Sequence, residues 1–273
     1  MPISLETRLP RTYHIESIEP ETEAMTSMTL PVSLGANPGQ FLMVWLPGID
    51  QVPLAVADDD DGHMCISFAA IGDLTKKLAH MHVGDLVGLS GPFGTSFTWK
   101  RGSRLVMLAG GYGVAPIFFA AKRALRDDCR VDVIIGARNA NLLAYRDRFA
   151  ALAGLTLHVT TDDGSVGRKG FTTEVLRDIL EQSREPIDAV FACGPEPMML
   201  GTLQLTTAAG VRSQLSFERY MKCGYGLCGS CAVDPTGLRL CTDGPVMTGE
   251  VASQITEFGN YHRDKVGEKK GCV

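Results

Sequence analysis

The chain contains 273 residues, and its 26 basic and 31 acidic side chains give a formal net charge of −5. This length predicts two or three domains with a sizeable core, and a mildly acidic charge without a basic patch argues against nucleic acid as a partner. No apolar run reaches the roughly eighteen residues of a membrane span, and Met1–Pro10 lacks the apolar stretch of a secretory signal. We therefore expect no membrane as a partner, and we expect the eight cysteines to lie in a reducing cytoplasm.

The first hundred residues predict short strands, because apolar and β-branched runs alternate with Pro, Gly and Asp. The predicted strands are Thr12–Ile18, Met25–Leu30, Phe41–Leu46, Met64–Ala70 and Leu86–Ser90. Together they predict a small antiparallel barrel. A short helix is predicted at Asp73–His80 with Asp73 as its N-cap, and the acidic run Asp58–Asp61 before Gly62 predicts a solvated hairpin turn.

Two glycine turns in this part could hold a ligand. Gly72-Asp73-Leu74-Thr75 lies where a predicted strand meets the start of a helix. Backbone N–H groups and a hydroxyl at such a place suit a phosphate, although the same residues also form a common turn. Gly91-Pro92-Phe93-Gly94 ends the barrel, and we interpret it as a simple turn.

From Arg104 onward, predicted strands alternate with predicted helices. The strands are Arg104–Ala109, Val131–Gly136, Leu155–Thr160, Asp188–Cys193 and Val211–Ser216. The helices are the segment from Pro116 to about Arg126, Asn141–Leu152, Thr172–Gln182 and Pro197–Ala209. This alternation predicts a doubly wound parallel α/β sheet.

Ligands of such sheets bind at the carboxyl ends of the strands, where three loops fall. The loops are Gly110–Pro116, Thr161–Gly164 and Cys193–Pro195. In the first loop Gly110, Gly111 and Gly113 allow a pyrophosphate to approach a helix N-terminus, and Pro116 suits a first helical turn. The other loops offer Asp162, Asp163, Gly194 and Pro195 as nucleotide-binding candidates and Cys193 as a catalytic neighbour of the nicotinamide. The alternatives are plain turns for the aspartates and an ordinary buried thiol for Cys193.

Four cysteines near the C-terminus carry the most specific motif. Cys223, Cys228, Cys231 and Cys241 follow the spacing C-x4-C-x2-C-x9-C. Four thiolates form the ligand set of a [2Fe–2S] cluster, and C-x4-C-x2-C begins the plant-ferredoxin set. The intervening glycines let backbone N–H groups approach the sulfurs, and Asp234–Gly237 turns the hairpin that brings back the fourth cysteine. Structural zinc and disulfides are the alternatives, but zinc sites usually combine two short C-x2-C pairs.

Motifs with family counterparts extend over nearly the whole chain. They are Gly110–Pro116, Thr161–Gly167, Lys169–Phe171, Cys193–Met199, Ser216–Glu218, Met221–Cys231, Cys241–Pro245 and Phe258–Asp264. Through them the chain resembles the ferredoxin–NADP reductase superfamily with a C-terminal [2Fe–2S] domain. Within that superfamily it resembles the archaeal electron-transfer subunits of dihydroorotate dehydrogenase B.

The resemblance implies three domains. They are an FAD-binding antiparallel six-stranded β-barrel at residues 1–101, an NAD-binding α/β domain at residues 102–212 and a [2Fe–2S] domain at residues 213–273. It also implies a reaction path in which NADH passes hydride to FAD, and the cluster exchanges single electrons with the FMN of a separate catalytic subunit. That partner oxidises dihydroorotate to orotate in pyrimidine biosynthesis, within a heterotetramer, and the physiological flow runs toward NAD. A flavin is needed between the two ends because nicotinamide carries a hydride whereas a cluster accepts one electron.

The resemblance places FAD at seven positions. They are Val52, Pro53, Leu54, Ala55, Gly72, Leu74 and Thr75. The family usually has Arg-Pro-x-Ser in the first four positions, where the Arg pairs with the flavin phosphates and the Ser faces the isoalloxazine. Val52 and Ala55 can do neither, so we expect FAD to be held by backbone groups and Thr75, with some positive charge from Lys76 and Lys77.

Two other functions stay open at this stage. One is a reductase subunit of a ferredoxin–NAD(P) transhydrogenase or a soluble hydrogenase complex, which shares these motifs. The other is a flavin-less NAD- or redox-sensing module, which the replacement of the family's Arg and Ser would suit. The sequence also leaves NADH and NADPH open, because Arg138 could either meet a 2′-phosphate or face solvent.

Overall fold

The structure is a computed structural model that describes residues 9–271. Within these residues there are two seven-stranded sheets and a two-stranded hairpin. The first sheet consists of β1 (Arg11–His14), β2 (Ser17–Thr22), β3 (Met25–Leu30), β4 (Phe41–Leu46), β5 (Asp50–Asp60), β6 (His63–Ala69) and β7 (Leu86–Phe93). It is antiparallel, with the order β1-β7-β4-β5-β6-β3-β2.

The N-terminal segment closes this sheet into a barrel. β1 pairs with β7 at one edge and β2 pairs with β3 at the other, so the predicted strand Thr12–Ile18 is divided between the two edges. At the crossing, the Ile15 N–H donates to the Asp85 carbonyl at 2.8 Å, and the Glu16 N–H donates to the Thr29 carbonyl at 2.9 Å. The predicted barrel is confirmed, but it has seven strands instead of six because this one segment serves both edges.

The prediction of a solvated turn at Asp58–Asp61 is wrong. Asp58–Asp60 end β5, and the turn is limited to Asp61 and Gly62. The Lys122 Nζ lies 2.5 Å from Asp58 Oδ2 and 3.0 Å from Asp60 Oδ2, and Arg126 also contacts Asp60. The carboxylates of Asp58 and Asp60 therefore contact two basic side chains, Lys122 and Arg126, which follow the barrel in the sequence. The local sequence around the aspartates cannot predict this contact.

Helix α1 (Asp73–Leu78) is confirmed, but its N-cap is Gly72 instead of Asp73. The Thr75 hydroxyl accepts hydrogen bonds from the N–H groups of Ile71 and Gly72, at 3.1 and 3.0 Å. A side chain from the first turn thus binds the backbone that enters the helix, as in a capping box. Asp73 is consequently left exposed.

The second sheet is parallel over most of its width. It consists of β8 (Arg104–Gly110), β9 (Arg130–Ala137), β10 (Leu155–Thr161), β11 (Arg168–Lys169), β12 (Ala189–Cys193), β13 (Ser213–Ser216) and β14 (Val246–Thr248). Helices α2 (Val114–Arg126), α3 (Arg146–Ala150), α4 (Thr172–Gln182) and α5 (Glu196–Ala209) lie between its strands in the sequence. The order is β11-β10-β9-β8-β12-β13-β14, with β14 antiparallel to β13, so the predicted doubly wound sheet is confirmed.

Strand β8 shows how the sheet buries both faces. Leu105, Met107 and Ala109 pack in one core with residues of α2, and Val106 and Leu108 pack in another with residues of α4 and α5. All five side chains are fully buried. A near-continuous apolar strand is typical of a parallel sheet covered on both sides.

The predicted helix Asn141–Leu152 is wrong in its first half. A 3₁₀ turn covers Ala140–Leu142, and α3 begins only after Tyr145, whose φ is +64°. The Tyr145 hydroxyl lies 2.7 Å from Ser67 Oγ and 3.3 Å from Ser27 Oγ of the barrel. This buried contact between the two sheets favours a backbone that helical periodicity alone does not predict.

All four motif cysteines lie between β13 and β14. Their segment contains the isolated bridge Ala232–Arg239, which forms the hairpin predicted around Asp234–Gly237. After β14 come α6 (Gly249–Ala252) and a hairpin of β15 (Tyr261–Arg263) and β16 (Lys269–Gly271). Because β13 and β14 both belong to the second sheet, that sheet holds the cysteine segment at both ends. The predicted domain limits at residues 101 and 212 stay predictions. No helix within residues 9–271 is long and apolar enough to cross a membrane.

Replacing Lys122 by Met should loosen the contact between barrel and sheet. Hydrogen bonds from Arg126 and Lys122 hold the pKa of Asp60 well below its ordinary value. A carboxyl with a lowered pKa contributes stability above its unfolded pKa of about 4, and that stability is lost as the pH falls through the folded value. We expect Lys122→Met to lower the free energy of unfolding by about 1 kcal/mol at pH 7, the upper range for partly exposed ion pairs.

Urea unfolding followed by circular dichroism at pH 7 and below pH 4 measures this loss, which should shrink in acid. Arg101→Met is the matched control, because the Arg101–Asp128 ion pair is exposed on both sides and should contribute little. Equal effects of the two substitutions at pH 7 would contradict the role of Lys122.

Candidate functional site

The second sheet has a switch point between β8 and β12. From β8 the chain builds β9 and β10 on one side, and then it returns to build β12 and β13 on the other. The loops that follow β8 and β12 leave in opposite directions, which opens a crevice at the carboxyl ends of the strands. The structure therefore brings together the predicted candidates of two loops, which are Gly110, Gly111, Gly113, Pro116, Cys193, Gly194 and Pro195.

The two loops touch through backbone atoms. A Cβ on Gly113 would overlap the Cys193 carbonyl, and one on Gly194 would lie 2.8 Å from the Gly110 carbonyl oxygen. Gly194 also has a φ of +151°, which few side chains tolerate. By contrast, Gly111 is exposed and no atom lies near the place of its Cβ. Residues 113 and 194 must therefore be glycine for steric reasons. Gly111 has no such contact, and its exposed backbone is accessible to a ligand.

Three polar side chains gather at this crevice. The Tyr112 hydroxyl donates to Glu218 Oε2 at 2.6 Å, from the glycine loop to the segment after β13. Burial raises the pKa of the Cys193 thiol to about 12, although a contact with Ser216 acts in the opposite direction. Cys193 is therefore a neutral thiol at physiological pH and is one of the free cysteines of the described chain.

Asp162 and Asp163 lie elsewhere. They follow β10, which is two strands away from β8, and both are exposed. Hydrogen bonds with the Ser165 side chain and then with its N–H, which lies 2.9 Å from Asp163 Oδ1, hold the pKa of Asp163 below its usual value. These carboxylates line the same edge of the sheet but do not join the glycine and Cys193 loops.

The barrel positions assigned to FAD lie on β5 and at the start of α1. Gln51–Ala55 are all half-buried, whereas the next residues, Val56 and Ala57, are buried. Successive side chains of a strand point to opposite faces, and Val52 and Leu54 pack against the barrel core, so this stretch offers a flavin alternate side chains and backbone instead of one continuous apolar face. Space in front of Gly72 is open apart from the Thr75 hydroxyl, and Leu74 is buried in the barrel core. The Thr75 hydroxyl accepts from the N–H groups of Ile71 and Gly72, so the candidate donors for a phosphate are the later N–H groups at the start of α1.

The four motif cysteines form two pairs. Cys231 Sγ lies 3.3 Å from Cys241 Sγ, and Cys223 and Cys228 are hydrogen-bonded to each other. In the described residues no three His, Cys, Asp or Glu side chains form a group that could hold a single metal ion. Two thiol pairs fit a binuclear cluster in which each iron takes two thiolates.

Backbone N–H groups point at the sulfurs, as the glycines predict. The Gly226 N–H donates to Cys241 Sγ at 3.1 Å, and the Leu227 N–H donates to Cys223 Sγ at 3.3 Å. The hydrogen bond with Cys241 lowers the pKa of Cys231 to about 6. At Cys228, burial opposes ionisation, but hydrogen bonds involving Ser230 and Cys223 outweigh it and lower the pKa to about 7. The contact between Cys231 and Cys241 raises the pKa of Cys241, so Cys231 ionises before Cys241, and binding of a cluster would release the proton of Cys241.

The cysteine loop lies directly on the barrel. A Cβ on Gly224 would lie 2.6 Å from Met43 Cγ and 3.1 Å from Phe93 Cδ2. Met43 on β4 is the cross-strand partner of Pro53 on β5. The far part of the loop faces solvent, where Leu227 is 76% exposed and Cys228 is exposed as well. The loop thus connects the predicted flavin strand with the molecular surface.

Sequence reasoning missed Met43, Tyr112 and the role of Glu218 in contacting Tyr112. Met43 reads as an ordinary core residue of an apolar strand, and Tyr112 as a variable position between glycines. No local pattern signals that these residues meet partners far along the chain.

Together, the crevice and the paired thiols define an NAD-binding oxidoreductase with an iron–sulfur module. A family model described as the oxidoreductase NAD-binding domain matches residues 107–204. A second, described as the iron–sulfur cluster binding domain of dihydroorotate dehydrogenase B, matches residues 218–251.

A relative from Methanocaldococcus jannaschii, named a probable dihydroorotate dehydrogenase B (NAD(+)) electron transfer subunit, is 38% identical over 95% of this chain and 98% of its own. A protein of the same name from Methanopyrus kandleri is 42% identical over 85% of this chain and 86% of its own. The chain therefore belongs to the family of dihydroorotate dehydrogenase B electron transfer subunits.

Solved structures include a similar chain in an NADH-dependent reduced ferredoxin–NADP oxidoreductase, an enzyme studied for flavin-based electron bifurcation. The two chains share 26% identity with a TM-score of 0.80, over 93% of this chain and 91% of the other. This likeness extends through the barrel, the sheet and the cysteine segment.

Replacing Gly224 by Ala should disrupt the cysteine loop. The new Cβ would lie 2.6 Å from Cγ of Met43, which is fully buried, so one of the two would have to shift. Overpacking of this kind typically costs about 1–3 kcal/mol. Gly229→Ala is the matched control, since Gly229 has a similar positive φ, +72° against +80°, but no atom near its Cβ position.

We expect Gly224→Ala to retain clearly less iron than Gly229→Ala after reconstitution and gel filtration. Adding Met43→Ala should recover part of the loss, because it removes the colliding atoms. Equal iron retention in the two single variants would show that the loop does not depend on its contact with Met43.

Proposed function

We propose that this chain carries electrons between NAD(H) and a separate FMN-containing catalytic subunit that oxidises dihydroorotate to orotate in pyrimidine biosynthesis. In this proposal NAD(H) binds between the glycine and Cys193 loops, FAD binds on β5, and a [2Fe–2S] cluster binds at the four cysteines. The observation that carries it is the contact of Gly224 with Met43 on β4, which brings the cysteine loop to the strand paired with the predicted flavin strand β5.

The switch-point loops position the nucleotide. Gly111 leaves backbone N–H groups accessible at the start of α2, where the helix dipole favours a pyrophosphate. Cys193 ends β12 beside this crevice, where its neutral thiol packs against the nicotinamide. Cys193→Ala should slow reduction by NADH without changing the iron content, and unchanged NADH kinetics would show that the thiol is only packed. Asp162 and Asp163 would serve a more distant part of the nucleotide.

The barrel residues position the flavin. The strand segment Val52–Ala55 runs past the ring, while the turn at Gly72 and Thr75 meets the phosphates. When bound, the flavin supplies the conversion between the two-electron hydride of nicotinamide and the single electrons that a cluster accepts.

The cysteine loop faces the partner. Leu227 and Cys228 form an exposed surface next to the cluster ligands, and apolar side chains of this kind suit burial in a subunit interface. Assembly into a heterotetramer and a cytoplasmic location belong to the same proposal.

A second candidate is the reductase subunit of a ferredoxin–NAD(P) transhydrogenase or related complex. The match to the NADH-dependent reduced ferredoxin–NADP oxidoreductase, at 26% identity and a TM-score of 0.80, favours it. The partner that co-purifies with the chain distinguishes the two candidates.

The test of the first candidate is the activity of the chain with and without that partner. Alone, the purified chain should contain about two irons, as expected for four cysteine ligands. It should oxidise NADH with artificial acceptors and should form no orotate. Adding the catalytic subunit should produce dihydroorotate-dependent reduction of NAD. Stoichiometric zinc, or orotate formation by the chain alone, would overturn the proposal.

FAD should bind this chain more weakly than it would with the family's Arg and Ser. A charge-assisted contact is worth roughly 1.5–3 kcal/mol and a neutral hydrogen bond about 1 kcal/mol, so the loss is roughly two to three powers of ten in Kd. The protein should therefore purify with substoichiometric FAD and take up more when it is added. Val52→Arg should tighten binding by about ten-fold or more.

Titration of FAD into the apoprotein, followed by absorbance and thermal melting, measures this affinity. Val83→Arg adds the same charge at a position that is 65% exposed and on no predicted site, and it should leave the affinity unchanged. If saturating FAD alters neither the spectrum nor the melting temperature, the flavin-less sensing module becomes the better assignment.

A further inference from the structure

Arg219 is buried between the second sheet and the cysteine segment. Its side chain is 4% exposed, its Nη1 contacts Glu196, and its Nε donates to Glu257 Oε1 at 2.5 Å. Nη1 also donates to the Glu218 carbonyl at 2.7 Å. Among residues 9–271, no hydrogen-bond acceptor meets its Nη2.

The two glutamates belong to different functional segments. Glu196 begins α5 directly after the Cys193–Pro195 loop, and its other carboxylate oxygen accepts from the Gly259 N–H at 2.7 Å. Glu257 is 1% exposed, and its second oxygen accepts from the Asp234 N–H at 3.1 Å. Asp234 begins the turn of the hairpin between Cys231 and Cys241. One guanidinium therefore joins the nucleotide loop to the cluster hairpin.

The residue before Arg219 extends this connection to the glycine loop. Glu218 receives the hydrogen bond of Tyr112 on its carboxylate and that of Arg219 on its carbonyl. Both sides of the crevice are thus connected to one buried ion cluster, defined here as Arg219, Glu196 and Glu257: the Cys193–Pro195 loop through Glu196, and the glycine loop through Glu218. Charged groups in a medium of low dielectric interact strongly, and a displacement of one changes the geometry of the others.

We propose that Arg219 is a positioning residue that couples nucleotide binding at the switch point to the geometry of the cysteine hairpin. The inference rests on the proposed function, because it requires both an NAD site and a cluster in this chain. Coupling of this kind is reciprocal: occupation of either site changes the binding free energy of the other by the same amount.

The test compares two forms of the full chain, reconstituted with iron and sulfide or left without iron. NAD⁺ is the titrant in calorimetry, and the reduced, iron-loaded chain is also observed by electron paramagnetic resonance with and without NAD⁺. In the unmodified chain we expect the NAD⁺ Kd to differ by about five-fold between the two forms, at the lower end of common couplings. We also expect NAD⁺ to shift the resonance spectrum.

Two variants should remove both effects while the chain still folds. Arg219→Lys keeps the positive charge, but a single ammonium cannot reproduce the separate contacts that the guanidinium makes with two carboxylates. Glu257→Gln keeps the shape of the side chain and removes the charge that ties Arg219 to the cluster hairpin. Circular dichroism and thermal melting confirm folding in each case.

Arg263→Lys is the matched control. Arg263 Nη2 lies 2.7 Å from Asp234 Oδ2, so it contacts the same hairpin turn without contacting the ion cluster. This variant should keep the five-fold difference in Kd.

Several outcomes would overturn the inference. One is equal NAD⁺ affinity of the unmodified chain with and without iron; another is an unchanged difference in Arg219→Lys and Glu257→Gln. Loss of coupling in Arg263→Lys would assign the effect to general loosening of the hairpin. A chain that binds iron and NAD⁺ without coupling contradicts only this inference, whereas failure to bind either one contradicts the proposed function as well.

Discussion

The architecture depends on the close approach of two backbones at the switch point. Gly113 lies against the Cys193 carbonyl and Gly194 lies against Gly110, so side chains at Gly113 and Gly194 would push the loops apart. The crevice exists in this form because β8 and β12 are direct neighbours whose following loops leave in opposite directions. The proposed nucleotide site at the crevice depends on this contact, since it brings the start of α2, the Cys193 thiol and Tyr112 to one place.

The second sheet also anchors the segment that contains the four cysteines, although none of these cysteines lies on its strands. Their segment leaves at β13 and returns at β14, and Gly224 presses on Met43 of the barrel. The barrel is in turn joined to the sheet by Tyr145, Lys122 and a shared apolar core. Each of the three candidate sites, for nucleotide, flavin and cluster, is therefore held in place relative to another of them. Electron transfer between the sites requires such a fixed arrangement. The buried ion cluster around Arg219 adds a connection that does not pass through the barrel.

Much of this could be predicted because the signals are local. The strands of the second sheet are short apolar runs, and helix Thr172–Gln182 has the predicted bounds, because a parallel sheet covered on both faces leaves a strong periodic pattern. The spacing of Cys223, Cys228 and Cys231 with the glycines between them predicted a tight loop whose backbone N–H groups approach sulfurs, and such N–H groups reach Cys223 and Cys241. The wrong predictions concern segments whose conformation depends on contacts with residues far away in the chain. Asp58–Asp60 look like a solvated turn until Lys122 is brought beside them, and Asn141–Leu152 looks like one helix until Tyr145 meets Ser67.

The sequence by itself determined the order of barrel, sheet and cysteine segment, the glycine loop and the spacing of the four cysteines, because each is specified by residues close together in the chain. Only the tertiary structure decided that Thr12–Ile18 is divided between two strands, that Asp162 and Asp163 stand apart from the crevice, and that Arg219 joins Glu196 to Glu257. These outcomes depend on contacts between residues tens of positions apart. A buried arginine or an acidic run has no local pattern that names its partner, so its role follows from packing alone.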